Sequence, residues 1–475
     1  MTLDVAGRRV VVAGVAVSGI ASAEVLLDLG AHVVVVDGRT GPGEQDAAER
    51  LRARGAEVRL GDAETPIDAD LVVTSPGWRP DQPLLVAALA AGTEVIGEPE
   101  LAVRLMRATW TLDDLTAVPW LGVTGTNGKT TTVGMLESIL RAAGLRAVAC
   151  GNVGLPLITA VLHRPRYDAL AVELSSFQLH WSSSLQFHAS TVLNVAPDHL
   201  DWHGSLAAYA ADKAKIWDEG ACALFNADDP GSTELSKGRY DRHDFGLGGD
   251  AQFRLEDGWL VQNVISHQPS DHRLAPADAV TMPGAHNTSN ALAASALAWL
   301  LNLRPNGPSM TPDAVTAGLR GYHPGRHRNE IVAVADGVTY VDDSKATNPH
   351  AAAASLAAYE SIVWVAGGLF KGADVAPLVA AHAGRLRGVV VIGTDRRPLL
   401  EAIARHAPDV PVVEVSARDT GSVMDAAVAA AAQLAVAGDT VLLAPAAASM
   451  DQFRDYAERG ERFAAAARTQ TAGTP

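Results

Sequence analysis

The sequence predicts an α/β protein of three domains: a Rossmann-like N-terminal domain, a central phosphate-loop ATPase-like domain on a mostly parallel sheet, and a C-terminal Rossmann-like α/β domain. Three observations lead there. A chain of 475 residues exceeds one ordinary core. Short apolar runs alternate with segments of helical period, which is the pattern of parallel sheets. Glycine and polar residues gather just after those runs, where ligands of such sheets sit. The boundaries read as 1–98, 99–323 and 324–475.

Composition narrows the function classes. Hydrophobic residues at 48% and charged residues at 19% describe a folded chain. A net charge of −16 argues against nucleic acid as a partner, so any anionic substrate needs a local basic pocket. Cys150 and Cys222 are the only cysteines and show no metal or disulfide spacing, which fits a reducing cytoplasm. No apolar run reaches the roughly 18–20 residues that span a bilayer, so no membrane insertion is expected. Arg8-Arg9 before the apolar run Val10 to Ala23 imitates a twin-arginine signal. Gly14 and Gly19 interrupt that run, and Glu24 and Asp28 continue its pattern, so it reads as the start of a β-α-β unit.

In the first domain Arg9–Ala13 is a strand, 14–19 a turn into a helix, and Val33–Val36 a strand ending in Asp37. The dinucleotide glycine pattern is incomplete, because Ala16 stands where a glycine is usual. Asp37 lies about 20 residues after the loop, as a ribose- or base-binding acid would. Leu71–Thr74 is a strand entering Ser75-Pro76-Gly77. The loops at 14–19, with Ser18, at 37–39 and at 75–77 are expected to face one crevice. Residues 99–118 read as a helix and connector.

The central domain opens on Trp120 to Val123, a buried strand, followed by Thr124-Gly125-Thr126-Asn127-Gly128-Lys129-Thr130-Thr131. Val133, Met135, Leu136, Ile139 and Leu140 continue at helical spacing. Strand, glycine loop and helix N-terminus form an anion cradle, in which Lys129 adds a point charge and the Thr130 hydroxyl can hold Mg²⁺. The match is not the strict phosphate-loop pattern, since Val123 occupies its first glycine position. Val148 to Gly154, with Asn152, is a strand into a polar turn. Asp168 to Leu174 is a strand with Glu173 at its end, where a second metal ligand usually sits. A strand at Ser190–Val195 leads to Asp198 and His199. Ser205 caps a helix bearing Tyr209 and Lys213, and on spacing alone Lys213 is an exposed helix lysine. Residues 282–300 read as an alanine-rich helix with amides at its start, which Asn287 or the next residues could cap. Its amides Asn287 and Asn290 could equally bond a purine.

The third domain has strands at Val338–Val341, Ile362–Ala366, Val389–Ile392 and Thr440–Leu443. Polar loops follow three of them: Asp342 to Asn348, Gly367 to Gly372 with Lys371, and Pro445 to Phe453 with Ser449.

Six stretches carry a resemblance: Thr124–Thr131, Glu173-Leu-Ser-Ser-Phe-Gln-Leu179, Leu193-Asn-Val-Ala-Pro-Asp-His199, His286-Asn-Thr-Ser-Asn290, Asp342-Asp-Ser-Lys-Ala-Thr-Asn348 and Ala448-Ser-Met-Asp-Gln-Phe453. Spread over nearly the whole chain, they resemble the Mur ligase family. The phosphate loop alone is also similar to folylpolyglutamate synthetases. The stretches at 173 and 343 point to the branch that adds D-glutamate. A nucleotide-driven switch is the rival class; the guanine-reading Asn-Lys-x-Asp is absent.

The resemblance implies binding of the UDP substrate by the first domain, of ATP and Mg²⁺ by the second, and of the amino acid by the third. It implies ATP-dependent amide formation on UDP-N-acetylmuramoyl-L-alanine through an acyl phosphate, in the cytoplasm, by a monomer. It implies that Lys129 and Thr130 serve phosphate and a first Mg²⁺, that Glu173 holds that ion, and that His199 holds a second. Lys213 falls where the family carries a carbamylated lysine. Asn287, Asn290, Arg328 and Asp343 fall at nucleotide contacts. Thr347, Lys371 and Ser449 fall on the D-glutamate side, and Ser18, Asp37, Ser75, Gly77 and Asn152 on the UDP side. Two departures stand out: Ala16, and Leu369-Phe370 before Lys371, where some relatives have an acid.

Overall fold

The computed structural model describes residues 4–111, 118–217, 222–263, 273–304, 307–415 and 420–472. Part of the expected 99–118 connector, 112–117, lies outside them. Three sheets are present. The first contains β1 (Arg9–Ala13), β2 (His32–Asp37), β3 (Glu57–Leu60), β4 (Leu71–Thr74) and β5 (Glu94–Gly97), in the order β3-β2-β1-β4-β5. All its pairings are parallel. Valine-rich strands such as 33–36 are buried on both faces because helices cover both sides. The reversal of strand order falls between β1 and β4, which opens a crevice beyond their carboxyl ends.

The second sheet holds β6 (Trp120–Thr124), β7 (Ala147–Gly151), β8 (Ala169–Glu173), β9 (Ala189–Val192), β10 (Cys222–Asn226), β11 (Arg242–Gly246), β12 (Phe253–Glu256), β13 (Trp259–Gln262) and β14 (Arg273–Pro276). Its order is β14-β13-β12-β11-β10-β9-β6-β8-β7. Strands β7 to β12 pair in parallel, and β13 and β14 add an antiparallel hairpin edge. The strand expected to reach Val195 ends at Val192; Asn194 leaves the ladder to bond the phosphate loop. The third sheet holds β15 (Glu330–Ala335), β16 (Val338–Asp342), β17 (Ile362–Gly367), β18 (Leu386–Ile392), β19 (Val412–Glu414) and β20 (Thr440–Leu443). Its order is β15-β16-β20-β17-β18-β19, parallel except for β15.

The first two sheets lie in one compact unit, Met1–Ala279 with Ser289–Tyr322. The third lies in another, Val280–Thr288 with His323–Pro475. Helix Glu98–Thr109, read from the sequence as part of a connector, knits the first unit. Glu98 accepts a 2.6 Å bond from Ile158 N, and Glu100 accepts 2.9 Å bonds from Ser183 N and Ser184 N. Burial pushes the Glu98 carboxyl up to about 7.

Candidate active site

In the N-terminal crevice Gly14, Ser18, Asp37, Ser75 and Gly77 line a cavity of about 460 Å³. The three loops expected to converge do so. Gly14 has φ +109°, and a Cβ there would lie 2.6 Å from Ser75 Oγ, so only glycine fits. Ala16 has φ −83° in extended backbone, which any residue adopts, so the usual glycine is not needed for the turn. Asp37 accepts from Val15 N at 2.9 Å and from Arg39 N and Nε at 2.9 and 3.1 Å. Burial pushes its carboxyl up, but the bonds from Arg39 and Val15 outweigh it and hold the group below the usual range. The Ser75 hydroxyl is buried with no hydrogen-bond partner. Arg39 is the crevice cation that the sequence reading missed; its signal was its place two residues after the strand-end Asp37.

At the centre, the carboxyl ends of adjacent β9, β6 and β8 bring the polar residues together. Gly125 (φ +153°) and Gly128 (φ +84°) shape the loop, and Gly128 precedes helix Lys129–Ala142. Thr124 Oγ1 donates to Leu174 O at 2.7 Å. The Thr126 hydroxyl lies 3.0 Å from the Tyr209 hydroxyl. Asn127 N donates to Asn194 Oδ1 at 2.8 Å, and Asn194 Nδ2 returns a bond to Asn127 O at 3.1 Å. Lys129 Nζ donates to Gly125 O at 2.8 Å and to Thr126 O at 2.9 Å. Thr130 and Thr131 begin the helix, Thr130 half-buried and Thr131 buried. Asn290 approaches this loop so closely that a Cβ on Gly128 would lie 2.4 Å from its Oδ1.

Lys213 is not exposed. It is 1% accessible, its Nζ donates to Gly125 O at 2.9 Å, and it lies over the Tyr209 ring. Helical spacing missed this because the acceptor lies 88 positions away in the sequence. Burial, reinforced by Lys129, pulls the Lys213 amine well below the ordinary lysine range; Asp198, Glu173 and Asp212 oppose it. Glu173 is also 1% accessible. Its Oε1 accepts from Asn152 Nδ2 at 2.9 Å, and its Oε2 has no hydrogen-bond partner. Asn152 therefore sits against the expected metal ligand. A buried carboxylate oxygen without a donor fits a hard cation such as Mg²⁺.

His199 has a left-handed backbone (φ 51°) and a 45% exposed side chain, 4.8 Å from the Phe177 ring centroid. Behind it lies a network absent from the sequence reading. Asp212 accepts from His180 Nδ1 at 2.8 Å, His203 Nδ1 at 3.0 Å and Lys215 Nζ at 2.9 Å. His203 Nε2 lies 2.9 Å from Ser176 Oγ. Burial raises the Asp212 carboxyl, and the histidine and lysine bonds overcome this and lower it strongly.

In the second unit Asn287 does not cap its helix. It lies inside the first turn of Ala285–Trp299 and donates from Nδ2 to Pro283 O at 2.7 Å. Asp343 is buried, accepts from Asn329 N at 3.3 Å and from the Ser355 hydroxyl, and is pushed up to about 6 by burial. Arg328 is half-buried within electrostatic reach of it. Thr347 is half-buried, Ser449 buried and Lys371 exposed at φ 51°. Leu369 and Ala448 exchange backbone bonds at 2.9 and 3.0 Å, which ties the Lys371 loop to the Ser449 loop. Phe370 is buried in the core, where it packs.

A second tie between these loops is Arg459, fully buried on helix Tyr456–Ala472. Its guanidinium donates to Ser344 Oγ and O, each at 2.9 Å, and to Ala447 O at 3.0 Å. It thus joins the loop of Thr347 to the loop of Ser449. Sequence reading missed it because a lone arginine on a helix ordinarily faces solvent.

Comparison with known proteins gives three family matches: the Mur ligase MurD-like N-terminal domain over 8–97, the Mur ligase middle domain over 123–298, and the Mur ligase glutamate ligase domain over 327–447. The chain is 53% identical to the UDP-N-acetylmuramoylalanine–D-glutamate ligase of Thermobifida fusca, covering 97% of this chain and 98% of that one. It is 52% identical to the enzyme of the same name from Streptomyces avermitilis, again over 97% and 98%. Among solved structures it shares its fold with a pseudomurein peptide ligase type C from Methanothermus fervidus (TM-score 0.58, 17% identity, 97% and 99% covered). A UDP-N-acetylmuramate-alanine ligase from Thermotoga maritima is similar in fold too (TM-score 0.57, 18% identity, 98% and 100% covered).

Proposed function

This chain belongs to the Mur ligase family, and from that premise we propose how its residues divide the work of ATP-driven amide formation. It is an ATP-dependent ligase of peptidoglycan precursor synthesis that adds D-glutamate to UDP-N-acetylmuramoyl-L-alanine. A carboxylate is a poor electrophile until one oxygen becomes a leaving group. ATP phosphorylates it, the D-glutamate amine attacks the acyl carbon, and phosphate departs as the amine loses its proton.

Three domains share this chemistry, with boundaries at 1–98, 99–323 and 324–475. The backbone of Thr124 to Thr131 cradles the phosphates, with Lys129 on the transferring group. Asn287, Asn290, Arg328 and Asp343 hold the rest of the nucleotide. Thr130 and Glu173 would hold one Mg²⁺, and His199 with a carbamylated Lys213 a second. Bound there, the ions neutralise charge developing on the phosphoryl oxygens. Lys213 suits carbamylation because CO₂ reacts with a neutral amine: an N–C bond forms, one proton leaves, and the buried neutral amine becomes an anionic oxygen ligand. Ser18, Asp37, Ser75, Gly77 and Asn152 take the UDP substrate, with Arg39 as a cation for its diphosphate. Thr347, Lys371 and Ser449 take D-glutamate. The enzyme acts as a cytoplasmic monomer; among the described residues no helix is long and apolar enough to cross a membrane.

The observation that carries this reading is the convergence of Lys129 and Lys213 on the Gly125 carbonyl, with the donorless Glu173 oxygen buried close by. Phosphate release from ATP is the test, with UDP-N-acetylmuramoyl-L-alanine and either D- or L-glutamate. Release should require the UDP substrate and be supported by D-glutamate only. Release without amino-acid dependence would indicate a nucleotide switch instead.

A further inference from the structure

Cys222, Asp241 and His243 form a cluster that the ligase reaction does not use. In the parallel pairing of β10 with β11, Ala223 stands opposite Arg242 and Leu224 opposite His243. Cys222 is therefore level with Asp241. Because strand side chains alternate, 222, 241 and 243 share one face of the sheet. Arg242 takes the other face, stacked over the Phe225 ring.

The donor atoms converge. Cys222 Sγ lies 2.7 Å from Asp241 Oδ2, and His243 Nε2 lies 3.1 Å from Asp241 Oδ1. One ligand atom from each residue falls within 4.8 Å of the other two. His243 is 9% accessible, and its buried Nε2 makes no hydrogen bond: the Asp241 oxygen is near but out of line. The other ring nitrogen, Nδ1, lies 3.1 Å from Gln252 Oε1, a carbonyl that can only accept. Gln252 thereby fixes the tautomer with hydrogen on Nδ1 and an open lone pair on Nε2, within 4.8 Å of a thiol and a carboxylate ligand atom. That is the second-shell arrangement of a metal-ligating histidine.

We propose that Cys222, Asp241 and His243 bind a Zn²⁺-class cation, with water in the fourth position. A thiolate, an imidazole and a carboxylate suit tetrahedral zinc and not Mg²⁺, which takes oxygen ligands in octahedral geometry. Tetrahedral bonds of 2.0–2.3 Å set ligand atoms about 3.5 Å apart, so the Cys222–Asp241 and His243–Asp241 spacings need to open by about 0.8 and about 0.4 Å. Binding breaks the Cys222 S–H bond, forms a metal–sulfur bond and releases one proton. Asp241, with a 46% exposed side chain, leaves an entry path from solvent. The site is separate from the phosphate loop: Cys222 begins β10, whereas the loop follows the carboxyl ends of the neighbouring parallel strands. A bound ion would clip the start of β10 to the start of β11.

The test uses the full chain after chelation. Zinc should bind with one tight equivalent in competition with a chromophoric chelator, and should raise Tm without ATP. Cobalt substitution should give a near-ultraviolet thiolate-to-metal charge-transfer band. With two cysteines in the chain, the band should survive Cys150→Ser and vanish in Cys222→Ser. His243→Gln and Gln252→Ala should each weaken zinc by about tenfold or more, and Cys222→Ser should keep its MgATP-dependent ligase rate. A native chain that binds cobalt with no thiolate band, or binds no zinc against the chelator, overturns the site. That outcome needs no variant to fold. Zinc affinity unchanged in both Cys222→Ser and His243→Gln overturns it equally.

Discussion

The central loop and the C-terminal loops both follow the carboxyl ends of parallel strands, yet they use their cations in opposite ways. In the centre, Lys129 and Lys213 both donate to Gly125 O, so two amines crowd one carbonyl in a buried place. Like charges at that range disfavour each other unless one amine is neutral or an anion arrives. In the C-terminal unit the buried cation is Arg459, whose bonds all go to Ser344 and Ala447. It holds the loops together, while Lys371 stays exposed. The centre therefore crowds two amines whose effect on Lys213 is only partly offset by Asp198, Glu173 and Asp212, and the C-terminal loops are held by their own scaffold. Substitutions in the centre should cost turnover, and scaffold substitutions in the C-terminal unit should cost folding.

The largest expected effect is in the centre. Lys129→Ala should abolish turnover, with several kcal/mol lost from transition-state stabilisation, while far-UV circular dichroism and Tm change little. Near-normal turnover at saturating ATP would sink the assignment. Lys213→Ala should lose most activity, and acetate or formate should restore part of it by supplying the missing anionic oxygen. Failure of rescue, together with an unmodified Lys213 in density at its tip in a nucleotide-bound crystal, would break the carbamate reading. The native enzyme should also slow in CO₂-depleted buffer. It should slow further at low pH, because protonating the depressed Lys213 amine removes the form that reacts with CO₂.

How much of this was legible differs between the two regions for the same reason. The phosphate loop was readable because strand, glycines, lysine and helix are contiguous from Trp120 to Val133, and its physics is local. Strands β1, β2, β4, β6 to β9, β16 to β18 and β20 were readable from apolar runs such as Ile362–Ala366. Strands β3, β5, β10 to β15 and β19 were not read, since such short strands of mixed polarity carry a weak period. Lys213 and Arg459 were out of reach for a different cause. Their burial depends on acceptors 88 and 115 positions away, and no helical spacing reports an acceptor supplied by a distant loop. Asn194 and the bond of Asp212 to His180 belong to that class too, whereas Arg39 sits two residues from its partner Asp37. For Lys213 only the family resemblance compensated.

In the C-terminal unit, Arg459→Met should be the strongest perturbation. It strands the Ser344 and Ala447 acceptors in the interior, at a cost of about 3 kcal/mol. Calorimetry should show a lowered transition, and the KM for D-glutamate should rise because the loops of Thr347 and Ser449 lose their common strut. A variant with unchanged Tm but lost turnover would place Arg459 with the central cations and dissolve the contrast. Lys371→Ala should act the other way: no change in Tm, and a KM for D-glutamate raised by about tenfold with the KM for ATP little altered. Equal effects on both would move Lys371 to the nucleotide.

The smallest effect tests the claim that the C-terminal scaffold is complete without ligand, and it is read as stability against pH. Burial raises the Asp343 carboxyl from its ordinary 3.8 to about 6. Below 3.8 both folded and unfolded chains hold the proton. Between 3.8 and 6 the unfolded chain releases it first, so stability falls as pH rises through this window, by on the order of 3 kcal/mol, and levels off above it. His327 adds a slope of the same sign. Its bond to Asp342 raises its pKa, so its contribution is full below the ordinary histidine value and is lost as pH climbs through the raised one. Asp343→Asn keeps an acceptor for Ser355 and Asn329 but removes the first titration. The Tm difference between native chain and variant should therefore shift in the variant's favour from pH 4 to pH 7, with the His327 slope cancelling in the subtraction. A constant difference across that range would mean that Asp343 is already ionised in the folded protein and compensated by Arg328, which would make this corner as dependent on charge pairing as the central loop.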